Sequence, residues 1–121
     1  MSDVELMRLL NDSTISSLAE EQLRARGFDS LRLAIARRLT DADPHVRREL
    51  ANTLPQIGGV DARPWLEELA VDNDPQVRRI AISILGTSGD PAVGNWLRQL
   101  RREESNPQVA ALIDEILDKR R

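Results

Sequence analysis

Apolar positions recur at helical spacing along the chain. Val46, Leu50, Leu54 and Ile57 form one stripe, Val77, Ala81, Ile84 and Leu85 a second, and Val109, Ile113, Ile116 and Leu117 a third. Steps of three and four mark a helix with one face turned to a core. No segment alternates apolar and polar residues convincingly, so no strand is predicted. Three helices open with one device: Asp43-Pro44, Asp74-Pro75 and Asn106-Pro107. The cap oxygen satisfies an orphan main-chain N–H, and proline supplies φ near −65° where no donor is needed. These second helices are predicted at about 13–26, 44–57, 75–86 and 107–119, with Asp12 capping the earliest. Shorter first helices are predicted at about 3–10, 30–40, 61–71 and 91–103, Asp90-Pro91 opening the last. Gly27, Gly58 and Gly89 follow second helices and are expected to supply a left-handed residue there.

The stripes belong to a longer period. Asp12, Asp43 and Asp74 fall 31 residues apart, as do Ile15, Val46 and Val77, then Leu23, Leu54 and Leu85, and the pair Trp65 and Trp96. One residue is inserted after Gly89, so Asn106 and Val109 follow Asp74 and Val77 by 32. A repeat of this size is the signature of a solenoid, each unit burying its apolar face against its neighbour. The expected fold is all-α, an α-α superhelix of about four helix pairs. It is expected as a single domain over 1–121, with units at about 1–27, 28–58, 59–89 and 90–121.

Composition narrows the function classes. With 121 residues, the chain is long enough to bury roughly two thirds of its unfolded surface. Its net charge of −3 gives no overall attraction to nucleic acid or anionic lipid. Cysteine is absent, which excludes a disulfide framework or a thiolate metal site and fits a reducing, cytoplasmic setting. Met1 to Leu10 lacks the basic start and apolar run of a signal peptide, and no apolar run approaches the ~20 residues of a membrane span. The few aromatics, Phe28, Trp65 and Trp96, leave the core to aliphatic residues.

Two segments carry a recognisable motif: Asp41-Ala42-Asp43-Pro44-His45-Val46-Arg47-Arg48 and Asp72-Asn73-Asp74-Pro75-Gln76-Val77-Arg78-Arg79. This resembles HEAT repeats, in particular the short bacterial kind named after phycobilisome lyases, most clearly over residues 30–100. The resemblance implies a right-handed solenoid with the Asp-Pro-x-Val-Arg helices on its concave side and the Trp-bearing helices on its convex side. It also implies a structural ladder between units, carried by Asp41 with Arg47 and Asp72 with Arg78. The pattern lapses in the first unit (Leu10, Ser16) and in the last (Glu104, Ala110), as expected of terminal units.

Side chains that point away from the ladder are the candidates for binding. Arg48 and Arg79 lie one step round the helix, and with His45, Asn52, Gln76 and Ser83 they are expected to form a polar row in the groove. Trp65 and Trp96 recur in register, and covering the junction between units is their expected use. His45 is the sole histidine; a metal site needs three or four converging ligands, so no metal is expected. No nucleophile elbow, phosphate loop or dinucleotide fingerprint is present, so no catalytic residue and no cofactor is assigned.

The leading expectation is therefore a non-enzymatic module that binds a protein partner through its concave groove. The alternative, carried by the resemblance alone, is a bilin-lyase-like activity or an auxiliary subunit to one. Iron-dependent repeat hydroxylases of this shape use His-Glu pairs, and the one histidine is followed by Val46. Nucleic acid is disfavoured by charge. Leu6, Met7, Leu9 and Leu10 in the first helix, if outward, suggest either a further domain upstream or weak self-association through terminal units. The basic tip Lys119-Arg120-Arg121 complements a helix C-terminus and offers a second contact for an acidic partner.

Overall fold

The computed structural model describes residues 1–120. Among them there are eight α-helices and no strand. In order these are α1 (Asp3–Leu9), α2 (Ser16–Ala25), α3 (Ser30–Leu39), α4 (Pro44–Thr53), α5 (Ala62–Leu69), α6 (Pro75–Leu85), α7 (Pro91–Glu103) and α8 (Pro107–Lys119), with a 3₁₀ turn at Leu54–Gln56. They fall into two compact units, Met1–Leu50 and Ala51–Arg121, and the division lies inside α4.

In the first unit α1 packs against both α2 and α3. Leu6, Met7 and Leu10 of the opening segment are buried together with Leu23 and Leu33. Three of the four apolar residues expected to face outward therefore point inward, and Leu9 is half-buried; the exposed large apolar side chains here are Met1, Leu18 and Leu31. Helix α2 starts later than its spacing suggests. Asp12 Oδ1 accepts from Thr14 N at 2.9 Å, and Asp12 O from Ile15 N at 3.3 Å, which makes a turn ahead of the helix. The other second helices carry proline after the cap, which presets helical φ; Ser13 does not. Gly27 closes α2 at φ 97°, as expected.

In the second unit α5 pairs with α6, α7 pairs with α8, and α6 packs on α8, so neighbouring helix pairs stack side by side as in an α-α solenoid. Leu66, Leu69, Val77, Ala81, Ile82, Leu85, Leu97 and Ile113 fill the core. Pro55 explains the early end of α4: it has no N–H to give and its ring crowds the carbonyl four residues back. The chain tightens into the 3₁₀ turn, and the left-handed residue falls at Gly59 (φ 85°) rather than Gly58. Gly89 does not have positive φ either. Helix α6 instead ends at right-handed Gly86, followed by bonds from Thr87 N to Ile84 O and from Ser88 N to Leu85 O. A Cβ at Gly86 would stand 2.7 Å from Ile116 Cδ1, so the missing side chain there lets α8 approach.

Candidate interaction surface

The turns that open α4, α6 and α8 share one construction. Asp41, Asp72 and Glu104 each accept the main-chain N–H two residues on, at 2.9 Å, from Asp43, Asp74 and Asn106. Those three residues then cap the helix: Asp43 accepts from His45 N at 2.9 Å, Asp74 from Gln76 N at 2.8 Å, and Asn106 from Gln108 N at 2.9 Å. Main-chain donors that a helix start leaves orphaned are thus met in series. An arginine closes the turn from within the helix. Arg47 Nη1 donates to Asp41 O at 2.6 Å, and Arg78 Nη1 to Asp72 O at 2.9 Å.

Arg78 also reaches forward into the next repeat. Its Nε and Nη2 donate to Glu104 Oε1 and Oε2 at 2.8 and 2.9 Å, a planar fork on a planar carboxylate. The two side chains are 14% and 3% exposed. Burial pushes the Glu104 carboxyl up, but the bonds from Arg78 and from the Asn106 N–H together outweigh it and hold its pKa below the ordinary value. Glu104 is where the aspartate pattern lapses in sequence, yet it does the work of the aspartates and completes the rung. Ala110, in register with Arg47 and Arg78, is buried.

The candidate binding residues lie elsewhere on the same helices. His45, Arg48 and Asn52 sit three and four apart on α4; His45 and Asn52 are exposed and Arg48 is half-buried. The His45 imidazole lies 3.2 Å from the carboxylate of Glu49. Gln76, Arg79 and Ser83 form the corresponding exposed stripe on α6. Arg79 and Ser83 line a shallow depression of about 400 Å³, whose far wall is Gln108, Ala111, Leu112 and Glu115 of α8. Among the described residues Arg79 has no carboxylate partner, whereas Glu115 is paired with Lys119 at 3.1 Å.

A family model for HEAT repeats matches residues 30–116. The chain belongs to the HEAT-repeat family. The match takes in the cap-proline turns of α4, α6, α7 and α8, the Arg78–Glu104 rung and both walls of the α6–α8 depression. Searches of curated proteins and of solved structures return no match. HEAT repeats commonly serve as scaffolds for protein interaction and are typically non-enzymatic.

In this HEAT-repeat chain the two tryptophans are half-buried, Trp65 on α5 and Trp96 on α7. Among the described residues no group of three His, Cys, Asp or Glu side chains is placed to hold a metal ion, and no helix is long and apolar enough to cross a membrane. The basic tip is folded back rather than extended: Lys119 pairs with Glu115, and Arg120 donates to main-chain oxygens of the loop after α6. Arg121 lies outside the described residues. Gln108, Leu112 and Glu115 were not singled out by sequence reasoning, because nothing in the spacing says which helix stands beside α6.

Proposed function

We propose that this HEAT-repeat protein is a non-enzymatic interaction module, and that the α6–α8 face of its second unit takes a protein partner. One observation carries the reading: Arg79, exposed and without a carboxylate of its own, shares a depression with Ser83 and with Gln108, Leu112 and Glu115 of the neighbouring helix. The depression offers a guanidinium, a hydroxyl, an amide, a carboxylate already paired with Lys119 and a small apolar floor. That mixture suits a segment of polypeptide, where one side chain is read by charge and the main chain by hydrogen bonds. The walls are helices locked by caps and by the Arg78–Glu104 rung, so little ordering is needed on binding.

The test is affinity purification with quantitative mass spectrometry, using three immobilised forms: wild type, the double variant Arg79→Glu with Ser83→Arg, and Arg102→Glu. Arg102 is exposed on α7, away from the depression. Proteins captured by wild type and by Arg102→Glu but lost from the double variant, at unchanged melting temperature, support the surface. Equal capture by all three removes it.

A further inference from the structure

A second depression in the same unit, of about 500 Å³, opens at the start of α7 and is lined in part by Ser88, Gly94, Asn95, Arg98 and Arg120. We propose that it binds a phosphoryl group, as free inorganic phosphate or as the phosphorylated side chain of a partner protein.

Two guanidinia line this depression, and neither forms a salt bridge with a carboxylate among the described residues, although the Ala92 N–H and Arg63, and with them the Arg120 charge, lower the pKa of Asp90. Arg120 is held by neutral acceptors: the main-chain oxygens of Gly86 at 3.5 Å, of Asp90 at 2.7 Å, and of Ser88. These dipoles fix the guanidinium without cancelling its charge. Gly94 adds to that placement. It is buried in the interior of α7, where glycine is unfavourable relative to alanine, and a Cβ there would lie 3.2 Å from Arg120 Nε. Leaving the side chain out gives the guanidinium a seat against the helix. Arg98 is likewise bonded to a neutral group, Asn95 Oδ1.

Asp90, whose carboxylate feels the Arg120 charge, is paired with Arg63 instead. Asp90 takes Arg63 Nη1 at 2.7 Å and the Ala92 N–H at 2.9 Å. What remains around the depression is a set of donors: the Arg98 guanidinium, a serine hydroxyl and an amide, with the fixed charge of Arg120 beside them. A compact tetrahedral dianion suits such a set, since the Arg98 fork can bind two oxygens in a plane while Arg120 supplies a fixed charge. The overall charge of −3 works against a long polyanion and leaves a single phosphoryl group as the fitting ligand. This site is separate from the α6–α8 depression and stands or falls independently of it.

Isothermal titration at fixed ionic strength tests the site with three probes: inorganic phosphate, a phosphoserine peptide and its unphosphorylated twin. Arg98 is the residue to vary, because its side chain is exposed and bonded only to Asn95, so Arg98→Ala should fold like wild type. Binding of phosphate or of the phosphopeptide, weakened about tenfold or more by Arg98→Ala at unchanged melting temperature and partly kept by Arg98→Lys, is the expected result. A phosphopeptide that binds about tenfold tighter than inorganic phosphate assigns the group to a partner; equal affinity assigns free phosphate. No heat from either phosphorylated probe, or identical binding by wild type and Arg98→Ala, overturns the proposal.

Discussion

Arg78 grips Glu104, 26 residues further along the chain, through two parallel bonds in a setting almost closed to solvent. The same guanidinium holds Asp72 O, so one side chain ties the turn that opens α6 to the turn that opens α8. Removing either partner strands the other. Arg78→Ala or Glu104→Ala should each cost about 3 kcal/mol by urea denaturation. Replacing both with leucine should cost less than the two single changes combined. Additive losses would show that the pair is not coupled.

The rung also sets a dependence on acid. Folded Glu104 releases its proton at a lower pH than unfolded Glu104 does. Its contribution is therefore complete above the unfolded carboxylate value and is lost as pH falls through the folded one. Unfolding free energy measured from pH 7 downward should decline more steeply for wild type than for Glu104→Gln, with the divergence appearing below about pH 4.5. Parallel curves would count against the assignment.

Caps offer a graded series. Asp74→Ala removes the acceptor for Gln76 N, and Asn106→Ala removes that for both Gln108 N and Val109 N. Each should lower stability by about 1 kcal/mol. Asp12→Ala should cost less, because Asp12 serves a turn ahead of α2 and not the helix itself. Thermal melts of the three variants would order them.

Gly27 sits at φ 97° with open space where a Cβ would point. Gly27→Ala therefore has no clash to relieve, only backbone strain, and should cost about 1 kcal/mol. Gly89→Ala, at a position without positive φ, should be neutral or slightly stabilising by the same melt.

The helices were legible because caps, prolines and stripes are local signals that agree with one another. Local departures account for the misplaced ends: Pro55 cuts α4 short, and Ser13 in place of proline delays α2. The site was legible in half. Exposure of Arg79 and Ser83 follows from their place opposite the buried stripe of α6. The opposing wall from α8 does not, because it depends on a contact between residues about thirty positions apart, beyond the reach of local patterning. Glu104 stands at the expected place once the 32-residue step is applied, but a glutamate, one methylene longer than aspartate, reads as a lapse of the pattern. Arg120 was legible only as part of a basic tip; its seat against Gly94 is a purely tertiary fact.

The α6–α8 face is the surface proposed to meet the partner. The most direct measurement places a photo-crosslinking amino acid at Ser83, and at Arg102 as control. A partner joined to the chain from Ser83 and not from Arg102, with the adduct suppressed by Arg79→Glu, is the predicted result. Crosslinking of the same partner from Arg102 alone, or from Ser83 undiminished by Arg79→Glu, would contradict it.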